Sequence, residues 1–185
     1  RMAKGIVCDT GVLISLYLLE KQIRGLLRNI KSKYKIIIPL GVKNELEEFA
    51  KYKDKLGKAA RKVLNNNMDI SKIDNKKINN LKKQIRVSGK QRITDTDLEC
   101  FILARDNNLA FFTDDFSVLI HLSSFFPEEN IFHGILLYAE ILGKIKGKEE
   151  AYNFIFEKFI PLRWDNITEI RLVDLEKIVS EFFDK

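Results

Sequence analysis

The sequence predicts an α/β protein, a parallel sheet covered on both faces by helices. Three observations carry this. Short apolar runs of strand length recur along the first 134 residues, stretches with helical spacing separate them, and two of the runs lead directly into aspartates. Strands buried on both faces read as continuous apolar runs, and the intervening helices make the pairing parallel.

Residues 5–13, GIVCDTGVL, give the first strand, which ends at Asp9-Thr10 and feeds a helix. That helix is expected over 13–29, with Leu16, Leu19, Ile23 and Leu27 along one side. Residues 34–39, YKIIIP, form the second strand, stopped by Pro39. Val42, Leu46 and Phe49 mark the next helix, and helices follow around 55–65 and 76–86, then a turn at 87–90. Thr94-Asp95-Thr96-Asp97 has the form of a capping box and starts a helix reaching residues 107–108. Residues 109–113 form the third strand, a helix spans 115–124, and a strand lies near Ile131-Phe132.

After Gly134 the alternation stops. Residues 135–145, 149–160 and 168–183 read as helices, a C-terminal appendage packed on the same core. The expected division is 2–134 for the α/β domain and 135–185 for the helical extension.

A chain of 185 residues with 45% hydrophobic content buries a substantial single core. Its two cysteines, Cys8 and Cys100, sit in apolar runs and exclude a disulfide framework or a structural zinc site between them. No apolar run approaches the roughly 18 residues of a membrane span, and the first residues lack a signal-peptide pattern. The expectation is a cytoplasmic protein with no membrane partner.

Charge is unevenly placed. Residues 51–92 hold 14 Lys and Arg against three acids, a net +11, so the remainder carries −5 of the overall +6. Such a segment either meets a polyanion or forms a solvated face.

In open parallel sheets, ligands gather beyond the carboxyl ends of the strands. The first strand ends in Asp9 and the third in Thr113-Asp114-Asp115. At about 100° per residue, Glu45 falls within the stripe of Val42, Leu46 and Phe49. A carboxylate there calls for a cationic partner, an exposed stripe edge or a metal. Asp97 lies in the first turn of its helix, where the dipole favours a negative charge; Asp95 is near enough to support it or to cap. Glu99 points elsewhere. Asp9, Glu45, Asp97 and Asp114 therefore come from four segments toward one rim, and four such carboxylates together need a counter-charge. Oxygen-only ligands select Mg²⁺ or Mn²⁺ over zinc, and such ions beside a basic surface suit phosphodiester hydrolysis.

These residues together resemble the PIN-domain nucleases. The likeness lies in the strand ending at Asp9-Thr10 with Leu13-Ile14 after it, and in Ile38-Pro39 followed by Val42 and Glu45-Leu46. It continues in Ile93 to Asp97 leading to Leu103-Ala104, and in Phe112 to Asp115. The resemblance spans residues 5–134. It implies a three-layer α/β/α sandwich and a Mg²⁺- or Mn²⁺-dependent endoribonuclease acting on single-stranded or loop RNA. By motif, Asp9, Glu45, Asp97 and Asp114 are the catalytic, metal-binding acids, and Asp115 replaces or joins Asp114. Thr10, Asp95 and Thr113 support them, with Thr94 as a cap. Arg86, Lys90 and Arg92, entering just before Asp97, are the candidate phosphate contacts for RNA.

The appendage exceeds what the compact toxins of toxin–antitoxin pairs need, and no zinc-ribbon cysteines of the kind found in ribosome-maturation relatives follow the domain. A homodimer or protein contact is one use for the appendage. Its Tyr152, Phe154, Phe156, Phe159 and Trp164 can stack on bases but read more readily as core. His121 and His133 read as satisfied structural histidines, and the acid–base mixture of 165–185 as a solvated face. The composition, rich in Lys, Asn and Ile, suggests an AT-rich microbial genome. A non-catalytic RNA-binding or scaffold module on the same fold is the first alternative. A phosphatase of the haloacid-dehalogenase type needs a second aspartate where Gly11 stands, and a receiver domain needs an acidic pair where Cys8-Asp9 stands.

Overall fold

The computed structural model describes residues 4–85 and 93–185. Five strands form one sheet: β1 (Lys4–Cys8), β2 (Tyr34–Pro39), β3 (Asp69–Ser71), β4 (Ala110–Thr113) and β5 (Ile131–His133). Their order is β3-β2-β1-β4-β5, and every pairing is parallel. Ile6, Val7 and Cys8 at the centre are buried, as a strand covered on both faces must be.

Right-handed crossovers set the layers. From β1 the chain winds outward through α1 (Thr10–Gln22) and α2 (Leu26–Lys33) to β2, then through α3 (Leu40–Phe49) and α4 (Lys55–Leu64) to β3. It returns across the other face through α5 (Asn75–Gln84) and α6 (Asp95–Asp106) to β4, and reaches β5 through α7 (Phe116–Phe125). The winding reverses between β1 and β4, so a crevice opens at their carboxyl ends. The register pairs Cys8 with Phe112, and the Asp9 amide donates to the Phe112 carbonyl at 3.1 Å. The acids that follow β1 and β4 therefore share that crevice.

The C-terminal part comprises α8 (Gly134–Lys146), α9 (Lys148–Phe154), a π-helical turn (Ile155–Phe159), α10 (Ile160–Arg163) and α11 (Glu169–Phe183). Helix α8 packs on β4, β5 and α2, and α11 packs on α8. Leu175 and Val179 of α11 belong to the same buried cluster as Val7 of β1.

The elements differ from the sequence reading in three places. The single helix expected over 13–29 starts at Thr10 and breaks after Gln22, because Gly25 takes φ +92° and Glu20 accepts from the Gly25 and Leu27 amides. Strand β3 is three residues long and carries only one apolar residue, Ile70, which gave no signal at an exposed edge. The helix expected over 149–160 runs on to Arg163 through a π-turn. Pro161 has no N–H to continue the ladder, and the turn before it widens so that Ile160 donates to the Ile155 carbonyl.

Candidate active site

The two central acids are fixed by their own helix starts. Asp9 is the N-cap of α1, its Oδ1 accepting from the Val12 amide at 2.8 Å. Its Oδ2 accepts from the Asp114 amide at 3.3 Å, tying the ends of β1 and β4 together. Asp9 is only 8% exposed. Burial, then the neighbouring Asp114 charge, push its carboxyl from the ordinary 3.8 up to about 7, although the Val12 amide and Thr113 hydroxyl act in the opposite direction.

Asp114 sits in a niche built by distant parts of the chain. Ser15 Oγ donates to its Oδ2 at 2.7 Å, and the buried Tyr138 hydroxyl donates to the same carboxylate at 2.9 and 3.0 Å. Gly134 makes room for it: a Cβ there would stand 2.2 Å from Asp114 Oδ1. Asp115 caps α7 through the Ser117 amide at 2.8 Å, and Thr113 Oγ1 accepts from the Asp115 amide at 3.1 Å.

The other two acids arrive on helices. Glu45 of α3 accepts from Thr10 Oγ1 at 2.5 Å. Asp97 closes a capping box with Thr94, its Oδ2 accepting from the Thr94 amide at 2.7 Å and the Thr94 hydroxyl at 2.8 Å. Burial raises the Asp97 carboxyl, with the Glu45 and Asp115 charges adding to it and the Thr94 hydrogen bonds opposing. Glu99 faces away and accepts from the Gly41 amide at 2.9 Å, capping α3.

Asp9, Glu45, Asp97, Asp114 and Asp115 all line one cleft of about 740 Å³, together with Thr10. Asp95, expected to support Asp97, does not line it. Its carboxylate is ion-paired with Lys82 on α5, because at the first position of α6 it projects outward while the third position projects inward. Arg86, Lys90 and Arg92 lie outside the described residues.

One of the two histidines departs from expectation. His121 is buried, and its Nε2 has no hydrogen-bond partner among the described residues. His133 caps α8, Nδ1 accepting from the Ile135 amide at 3.1 Å, and burial lowers its pKa; it also lines the cleft. Trp164, read as core, packs against the core and also lines the cleft with Arg163 and Arg171; Asp165, Asn166, Ile167 and Thr168 line it too, while most of 165–171 stays exposed, as a solvated face does. Sequence reasoning missed Ser15, Tyr138, Arg163 and Arg171. Ser15 alone left a trace, as the one polar residue in the run from Val12 to Leu16.

The donor chemistry of the floor fits a hard divalent cation. It consists of carboxylates and hydroxyls, and among the described residues none of the five acids forms an ion pair with Lys or Arg. Repulsion from the Asp114 charge adds to burial in raising the Asp9 carboxyl. The acids are spread out, and among the described residues no three metal-ligating side chains are gathered as a finished coordination shell.

The sheet is doubly wound, with the acidic cleft at its switch point. The family model for the PIN domain matches residues 6–121, nearly two thirds of the chain, and the chain belongs to the PIN-domain family. PIN domains are generally nucleases that use divalent metals. No curated protein matches the chain. Among the described residues no helix is long and apolar enough to cross a membrane.

Proposed function

We propose that this protein is a Mg²⁺- or Mn²⁺-dependent endoribonuclease that hydrolyses phosphodiester bonds of single-stranded or loop RNA. One observation carries the reading: acids from four segments converge on a single cleft, and among the described residues none of them forms an ion pair. Asp9, Glu45, Asp97 and Asp114 would hold the ion, with Asp115 at the rim. When bound, such an ion supplies an activated water and charge stabilisation for the leaving oxygen.

The chain's own residues then have defined tasks. Thr10 orients Glu45, Ser15 and Tyr138 orient Asp114, and Thr94 orients Asp97 through the bonds described above. The hydrophobic walls around Asp9 keep bulk water from its buried side. Arg86, Lys90 and Arg92 contact phosphates in the same reading, supplying affinity that falls with salt.

The test is cleavage of a panel of labelled single-stranded RNAs with Mn²⁺, Mg²⁺ or EDTA, alongside purified Asp9→Asn and Asp97→Asn proteins. Metal-dependent cleavage lost in both variants supports the reading. Folded protein that binds RNA in a salt-sensitive way, yet cleaves nothing with any metal, replaces it with the non-catalytic binding module.

A further inference from the structure

The wall facing the carboxylates is built from residues beyond the stretch matched to the family, which ends at 121. This wall is anchored rather than loose. Lys55 Nζ of α4 donates to the Leu162 carbonyl at 2.5 Å, and Arg163 Nε donates to Ser15 Oγ at 2.9 Å. Ser15 in turn donates to Asp114, so the wall and the acidic floor share one hydrogen-bond chain.

That chain fixes the Arg163 guanidinium at the floor. Its Nη2 lies 3.5 Å from the point where a Cβ on Gly11 would stand, and Asp9 Oδ1 is 3.5 Å from the same point. Among the described residues Arg163 forms no ion pair, and only its Nε has a hydrogen-bond acceptor. Its terminal N–H groups are thus available to an anion resting on the floor, in the fork geometry that suits a phosphate.

Beside it stands an aromatic shelf. Trp164 is half-buried and lines the cleft; Phe159 holds it edge-on at 5.8 Å between centroids, and the Arg163 guanidinium lies over its ring at 5.4 Å, so a base has only the remaining face to stack on. His133 lies 6.2 Å from Trp164 and 4.5 Å from Phe116, and the Arg171 guanidinium covers the Phe116 ring at 4.7 Å. A cation next to a carboxylate floor and an aromatic plane next to the cation match the alternation of phosphate and base along a single strand. The cleft volume of about 740 Å³ is in the range that accommodates ligands of nucleotide size.

We propose that Arg163 and Trp164 form a substrate subsite for single-stranded RNA, Arg163 gripping the phosphate at the acidic floor and Trp164 stacking the adjacent base. This rests on the ribonuclease reading and assigns the helical extension to the cleft rather than to a dimer contact.

Trp164 is the sole tryptophan of the chain, so its emission reports directly on stacking. The experiment titrates the full chain in EDTA, at low salt, with a 5′-labelled 12-mer of uridine, following oligonucleotide anisotropy and tryptophan emission together. The expected result is quenching that saturates with the anisotropy, and weaker quenching by an abasic 12-mer. Trp164→Ala should weaken binding roughly 5- to 100-fold, with Trp164→Phe in between. Arg163→Gln should flatten the slope of log affinity against log salt by about 0.7. Rising anisotropy with unchanged emission of the wild-type protein overturns the subsite while leaving RNA binding intact, and needs no variant to fold. No change in either signal overturns the RNA reading itself.

Discussion

Replacing Asp9 by Asn is expected to stabilise the metal-free protein at alkaline pH while removing its activity. The folded state holds the Asp9 proton up to about pH 7, whereas the ordinary carboxyl releases it near 3.8. Between those values the unfolded chain loses the proton and the folded chain keeps it, so stability falls as pH rises and the loss is complete above about pH 7. The gap is worth roughly 4 kcal/mol as an upper figure. Asparagine keeps the cap on Val12 through its carbonyl but forfeits the 3.3 Å bond from the Asp114 amide, at a cost of about 1–3 kcal/mol. The net gain at pH 8 is then about 1–3 kcal/mol, or roughly 2–10 °C in Tm for a chain of this size. Thermal melts of both proteins in EDTA from pH 5 to pH 8.5 measure it. The advantage of the variant should grow by about 2–3 kcal/mol between pH 5 and pH 8. A variant less stable than wild type at pH 8, or a difference that ignores pH, refutes the account of Asp9 as a buried charge with no ion-pair partner among the described residues.

Gly134→Ala places a methyl 2.2 Å from Asp114 Oδ1 and 2.7 Å from the Tyr138 hydroxyl, so the carboxylate must leave its niche. Cleavage should fall at least tenfold and stability by about 1–3 kcal/mol, read by RNA cleavage and urea denaturation. Tyr138→Phe removes one donor to Asp114 without changing the packing volume. It should cost about 1–3 kcal/mol in a chemical denaturation midpoint, since the bond is to a charged group. Gly57→Ala drives a methyl to 2.1 Å from the Tyr52 carbonyl, in the corner that Arg61 closes by donating to the Ala50 and Tyr52 carbonyls. Because the obstacle is backbone, a loss near 3 kcal/mol is expected in the same denaturation assay, with the cleft chemistry of the surviving folded fraction unchanged.

The strands that matter and the acids at their ends are legible in the residues alone. Apolar runs such as IVC and AFF cannot be solvated, so their burial, and with it the placement of Asp9 and Asp114 beyond the last buried residue, follows from local composition. The Thr94–Asp97 box was legible for the same reason, because a cap satisfies amides within one turn. Helical phase carried Glu45 to the cleft side of α3, since an apolar stripe marks which side is inward. The capping box singles out Asp97 at the third position of its helix, but the ion pair of Asp95 with Lys82 on another helix leaves no local trace.

What surrounds the acids comes from packing between distant parts of the chain. Ser15 meets Asp114 across 99 residues and Arg163 across 148, and contacts at such separations leave no periodicity in the sequence. Trp164 shows the difference most clearly. Its neighbours Ile160 and Leu162 made it look like core, and it does pack on the core, but the same half-buried ring also lines the cleft. Composition says that an aromatic ring will leave water; only packing says which surface it will face.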